Sequence, residues 1–129
     1  MAKKIECYGY LRCSGTGQIG GDSFRRQKEA ILKFAKANHY MVKAFFQEEA
    51  VSGTTSELED RPALTEMMMR IAANGVRTVL VERADRLSRD LMASEILIKE
   101  FQKLDSKVIE AEAGNDITLG DDSNPTAVM

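Results

Sequence analysis

Short apolar runs alternate along the chain with stretches whose apolar residues recur at helical spacing. The first run, IECYGYLR (Ile5–Arg12), reads as a strand with Ile5, Cys7, Tyr10 and Leu11 as its buried positions. A polar, glycine-rich turn follows it. Phe24, Ile31, Phe34 and Ala35 then share one face of a helix expected over residues 24–37, with Asp22 or Ser23 as its cap. Residues 41–46 read as a second strand, and residues 47–60 as a polar loop without periodicity. Pro62 suits the first turn of a helix carrying Leu64, Met67, Met68 and Ile71 on one stripe, and Asn74-Gly75 stops it. That methionine cluster reads as core or interface packing. Residues 77–81 end in TVLV, the continuous apolar run of a strand covered on both faces. A charged turn over residues 82–89 precedes a helix expected over 90–104. This helix carries Leu91, Met92, Ile96, Leu97, Ile98, Phe101 and Leu104, more apolar surface than one stripe needs, so part of it is expected to meet another subunit. Val108-Ile109 is a short fourth strand. The stretch GNDITLGDDSNP reads as a loop, and Asn124-Pro125 as the cap and first residue of a further helix.

This alternation predicts an α/β fold, with a mainly parallel central sheet of about four to five strands and helices on both faces. A length of 129 residues corresponds to one domain with a sizeable core. Hydrophobic content of 43% and charged content of 29% are those of an ordinary globular protein. No run approaches the roughly 18 apolar residues of a transmembrane helix, and MAKKIECYGY lacks a signal-peptide core. The expected location is cytoplasmic, without a membrane partner. Cys7 and Cys13 lie too far apart along one strand to bridge and read as reduced, packed thiols. His39 is the single histidine and reads as a solvated or capping residue at a helix end, so no metal site is expected. The formal net charge is −2. The arginines are uneven all the same: Arg83, Arg86 and Arg89 crowd one turn, and Arg25 and Arg26 sit at a helix start. A local cationic pocket on a near-neutral domain points to phosphate chemistry.

The end of the first strand carries the first candidate chemistry. Residues two apart on a strand share a face, so Arg12 and Ser14 leave it side by side. A guanidinium beside a hydroxyl is a poor set for acyl transfer, which wants a histidine base. It is a sensible set for clamping and attacking an anionic phosphoryl group. In a parallel sheet, the first and third strands deliver their C-terminal ends to one edge, where open α/β sheets hold ligands. Asp85, Arg86 and Arg89 would then join Arg12 and Ser14, with Arg86 and Arg89 on one face at a helix start.

A second reading competes. GTGQIG places Gly15, Gly17 and Gly20 in the dinucleotide-binding pattern between a strand and a helix, with Glu48 or Glu49 ending the second strand. Against it, the helical signal begins after the last glycine and the acidic residue comes about 30 positions on, where about 20 is usual. It also leaves Arg12, Ser14 and the second charged turn without a task. A third possibility is a catalytically silent assembly domain.

Five motifs, in order YLRCSGTGQ, GDSFRRQ, EAVSG, DRPAL and DRLSRD, resemble the catalytic domain of the serine recombinases, the resolvase/invertase group and its larger integrase and transposase relatives. The resemblance spans residues 8–90. It implies that Ser14 is the nucleophile, attacking a DNA phosphodiester to give a 5′-phosphoserine link and a free 3′-hydroxyl. It implies that Arg12, Arg86 and Arg89 surround the scissile phosphate and that Arg61 is a further active-site arginine. Gln27 would support them, Tyr10 would precede the motif arginine, and Ser52 would lie on a loop close to the site. Asp85 would be the catalytic aspartate, a candidate acid for the leaving oxygen. Glu49 stands where many relatives have aspartate, Ala84 where leucine is commoner, and the stretch 54–60 is longer than in compact resolvases. The implied partners are double-stranded DNA and further copies of the chain, a dimer that becomes a tetramer in the active complex, with no cofactor. The resemblance also divides the chain into a catalytic domain over 1–123 and the start of a truncated long helix over 124–129. The DNA-binding domain would lie outside this stretch, which is expected to be inactive alone.

Overall fold

In the computed structural model, which describes residues 3–13, 20–48, 61–88 and 91–118, β1 (Ile5–Arg12) occupies an inner position of a five-stranded sheet. The chain continues through α1 (Gly20–Ala37), β2 (Tyr40–Glu48), α2 (Pro62–Asn74), β3 (Thr78–Val81), α3 (Ala84–Leu87), α4 (Leu91–Lys103), β4 (Lys107–Glu110) and β5 (Asn115–Asp116). The strand order is β2-β1-β3-β4-β5. β1 pairs in parallel with β2 and β3, β3 in parallel with β4, and β4 antiparallel with β5. The expected α/β architecture is the one observed.

Alternation of side chains sends each strand into two cores. Tyr8, Tyr10, Val79, Val81 and Val108 pack on one face with Leu64, Met67, Met68 and Ile71 of α2 and Leu97 and Phe101 of α4. Cys7, Leu11, Leu80 and Ile109 pack on the other face with Phe24, Ile31 and Ala35 of α1. The methionine cluster of α2 is therefore core, apart from the exposed Met69. Gly9 lies on the α1 face, where a Cβ would come within 2.5 Å of the Phe45 ring. A side chain there would force the Phe45 ring to shift.

Several boundaries depart from the sequence expectation. Ile5 is exposed rather than buried, because it opens the strand before the covering helices begin. α1 starts at Gly20, four residues earlier than its periodicity suggested. Ser23 is thus inside the helix instead of capping it, and its hydroxyl accepts a bond from Gln27 Nε2 at 3.0 Å. β2 extends to Glu48, taking Gln47 and Glu48 out of the expected loop. The charged turn contains α3, and α4 starts after it, so Arg86 lies within a four-residue helix rather than beginning the long one. Residues read as loop after Glu110 include β5, held by Ile117 N–H on the Val108 carbonyl and by Asp116 Oδ1, which accepts from Thr118 N–H and the Thr118 hydroxyl. α2 ends as expected: Gly75 has φ 81°, the left-handed conformation that glycine adopts freely, and its N–H bonds the Ile71 carbonyl. His39 also turns the chain with positive φ, after α1, and its carbonyl accepts the Ile5 N–H.

Candidate active site

The C-terminal ends of β1 and β3 meet through a buried arginine. Arg12 is 1% exposed and lies at the last position of β1. Its Nε donates to the Arg86 carbonyl at 2.8 Å, and its Nη2 donates to the Asp85 carbonyl. The guanidinium therefore grips the backbone of α3. Glu110, at the end of β4, accepts the Ala84 N–H at 2.6 Å and holds the other end of this short helix. Without these outside bonds, four residues of helix would be marginal.

Gln27 of α1 secures the backbone of Arg12 from the opposite side. Its Oε1 accepts the Arg12 N–H at 3.2 Å and its Nε2 donates to the Arg12 carbonyl at 3.1 Å. A side-chain amide so completes the ladder on the β3 side of Arg12, where β1 and β3 are no longer paired, while Glu48 of β2 remains its partner on the other side. Arg86 also donates to the Arg12 carbonyl, from Nη1 at 3.4 Å, and its Nε pairs with Glu82 at 3.1 Å. Glu82 shares its second oxygen with Arg26 Nε of α1, again at 3.1 Å. Burial raises the Glu82 carboxyl pKa, but the bonds and charges of Arg26 and Arg86 outweigh it, so the net displacement is below the ordinary carboxylate value. Asp85 is half-exposed, with its carboxylate 3.5 Å from Arg83 Nε.

A second buried cluster lies one strand pleat back. Tyr10 faces the same side as Arg12, and its hydroxyl donates to Glu48 Oε1 at 3.0 Å while accepting from Arg61 Nη2 at 2.7 Å. Arg61 is fully buried at the N-cap of α2. Glu48 also accepts the Ala63 N–H at 2.8 Å and the Leu64 N–H at 2.9 Å, so one carboxylate satisfies two free donors at the start of α2. Burial drives the Tyr10 hydroxyl pKa up; Arg61 lowers it and Glu48 raises it further. Tyr10 therefore stays protonated and acts as a bridge.

Of the residues singled out in the sequence, Tyr10, Arg12, Gln27, Asp85 and Arg86 come together at one edge, with Arg61 joined to them through Tyr10. Ser14, Arg89, Ser52 and Glu49 lie outside the described residues, as do Gly15 and Gly17 of the competing motif. Gly20 is the first residue of α1, so the helix does begin at the last glycine of that motif. Glu48, Glu82, Glu110 and Arg26 were not singled out for this site. Period-two reading of β2 would have found Glu48, because Phe46 and Glu48 are buried on either side of an exposed Gln47. Among the described residues, no group of three or more His, Cys, Asp or Glu is placed to hold a metal, and no helix is long and apolar enough to cross a membrane.

Comparison with known proteins identifies the family and the fold. A family model described as the resolvase N-terminal domain matches residues 7–128. The crystal structure of the N-terminal catalytic domain of TP901-1 integrase superposes with a TM-score of 0.75 at 28% identity, covering 95% of this chain and 86% of that one. A resolvase family site-specific recombinase from Streptococcus pneumoniae gives a TM-score of 0.73 at 27% identity, over 91% and 78% of the two chains. In sequence, the chain is 30% identical over 92 residues to YbcK of Escherichia coli (strain K12), covering 67% of this chain. It spans only 18% of the length of YbcK.

Proposed function

Because this chain belongs to the resolvase N-terminal domain family, we propose that it is the catalytic part of a site-specific DNA recombinase, and that Ser14 cuts and rejoins DNA through a phosphoserine link. One observation carries the reading. The Arg12 side chain bonds the backbone of Asp85 and Arg86, so the end of the Tyr-x-Arg-x-Ser strand lies against the Asp-Arg-Leu-Ser-Arg turn. Two segments more than 70 residues apart thereby bring Arg12, Asp85 and Arg86 to one edge, and Ser14 follows Arg12 by two positions in the sequence.

A phosphodiester repels an incoming alkoxide, and its transition state gathers charge on the oxygens. Fixed guanidinium groups answer both problems, since they do not deprotonate and donate in planar forks. Arg86 and Arg89 are assigned to the phosphate, Arg12 to holding the Asp85–Arg86 backbone and to the local positive field, and Asp85 to protonating the leaving 3′-oxygen. Arg61, Tyr10 and Gln27 act one step back, on the strand end that presents Ser14. Ser52 and Glu49 are assigned to the loop flanking the site. In the forward step, the Ser14 Oγ–phosphorus bond forms as the phosphorus–O3′ bond breaks. The serine proton is released and the 3′-oxygen gains one. Attack by a 3′-hydroxyl on the phosphoserine reverses the step, so rejoining needs no nucleotide. Self-association would bring the required DNA ends together.

The test incubates the complete protein with a random library of DNA duplexes and isolates covalent protein–DNA adducts on denaturing gels. Adducts joined at a 5′ end, enriched for one sequence and absent with Ser14→Ala, are expected. Adducts formed equally by Ser14→Ala would refute the nucleophile.

A further inference from the structure

Glu82 follows the apolar run of β3 directly and is nearly buried, between two cations from different elements. Oε1 accepts from Arg86 Nε and Oε2 from Arg26 Nε, both at 3.1 Å. We propose that Glu82 is a positioning residue for the phosphoryl transfer, fixing the orientation of the Arg86 guanidinium and tying it to Arg26 on α1. This rests on the reading of Arg86 as a phosphate-facing group.

The division of the carboxylate matters. A carboxylate engaged by one arginine through both oxygens would occupy a full edge of that guanidinium. Here each arginine receives one oxygen. Arg86 spends Nε on Glu82 and one Nη1 hydrogen on the Arg12 carbonyl, two of its five N–H groups. Two anchor points on different nitrogens fix the plane of the guanidinium, and the other donors remain for an anion. Two cations about one anion also leave the cluster positive, so it attracts a phosphate while restraining the side chain that meets it. α1 reinforces this from adjacent positions: Arg26 reaches Glu82, and Gln27 grips the Arg12 backbone.

Glutamine at position 82 separates charge from packing. It preserves volume and one acceptor oxygen. Its amide nitrogen is a donor, and must face either Arg26 or Arg86, donor against donor. A residue that merely filled space would tolerate this exchange; a residue that orients Arg86 would not. Aspartate keeps the charge with one methylene less.

The experiment follows the Arg86 Nε–H by proton–nitrogen NMR of the complete protein, assigned through Arg86→Lys, in wild type, Glu82→Gln and Glu82→Asp. Expected is hydrogen exchange at Arg86 about tenfold slower than at exposed arginines in wild type, lost in Glu82→Gln and partly regained in Glu82→Asp. On the duplex trapped by the wild-type protein, Glu82→Gln should lower the adduct rate at saturating DNA by about 10- to 100-fold, with apparent DNA affinity changed less than about threefold. Rapid Arg86 exchange in wild type, or a full adduct rate in a folded Glu82→Gln protein, overturns the proposal. Should the wild-type protein form no adduct, the recombinase reading falls. The exchange comparison then still decides whether Glu82 orients Arg86, slow exchange lost in Glu82→Gln supporting it and unaltered exchange overturning it. Should Glu82→Gln fail to fold, Glu82→Asp takes its place: Arg86 exchange faster than in wild type supports the proposal, and unaltered exchange overturns it.

Discussion

The Arg12 Nε donates to the main-chain carbonyl of Arg86 at 2.8 Å, and this bond joins the end of β1 to the last turn of α3. Arg12→Lys keeps the charge but loses the planar fork that reaches two carbonyls at once. At least one buried carbonyl should be left without its donor, at a cost of about 1–3 kcal/mol. The expected result is a lower urea midpoint with an unchanged slope, together with faster amide exchange over residues 84–88.

Tyr10 and Glu48 should behave as a coupled pair. Tyr10→Phe removes the hydroxyl that Arg61 and Glu48 share, and should cost about 1–3 kcal/mol. Glu48→Gln removes the charge that accepts the Tyr10 hydroxyl and weakens the bonds to the start of α2, and should cost about 1–3 kcal/mol. The double variant should be less destabilised than the sum, because each change already disrupts what the other removes. Additive losses in urea titrations would separate the two residues.

Stability should fall at both ends of the pH range. The Glu82 carboxyl titrates below its ordinary value of 4.5 in the folded chain, so its contribution is present above about that pH and is lost as pH drops through the folded value. Burial pushes the Cys7 thiol from 9.0 up to about 12. The fold favours the protonated thiol, so this contribution holds below pH 9.0 and is lost as pH rises towards 12. Glu82→Gln should flatten the acid side of a stability–pH profile and Cys7→Ala the alkaline side. Native Cys7 should also resist thiol reagents at neutral pH until the chain is unfolded.

Gly9→Ala should destabilise the sheet by about 1–3 kcal/mol, because the added methyl meets the Phe45 ring at 2.5 Å. In a Phe45→Ala background the same change should be much cheaper. An equal penalty in both backgrounds would place the strain elsewhere.

Much of this arrangement was legible in the chain because its punctuation is chemical. Pro62 and Gly75 bracket α2, and the bounds read from them are those observed. Ile5–Arg12 was read in full because its apolar run ends in charge and glycine. The start of α1 was not, since glycines weaken the helical signal while packing of Phe24 and the Gln27 bonds to Arg12 supply what propensity lacks. β5 is only two residues long and has no pattern of its own; it exists through its partners in β4. The meeting of Arg12 with the Asp85–Arg86 turn followed from parallel topology and motif order. The role of Glu82 did not, because nothing in TVLVER marks which way a terminal glutamate turns or which helix waits there. Glu48 was noticed as a strand end, but its tie to α2 needed the register of β2 against β1.

That tie bears on how the chain can change over evolutionary time. Glu48 and the first turn of α2 lie within hydrogen-bond distance, so the two ends of the stretch 49–60 are fastened at its base. Closing a longer loop between fixed posts adds little entropy cost, about 0.6 kcal/mol per doubling. Descendants of this sequence can therefore lengthen or shorten that stretch at little cost to the frame on either side, so long as the positions assigned to catalysis, Glu49 and Ser52, are kept.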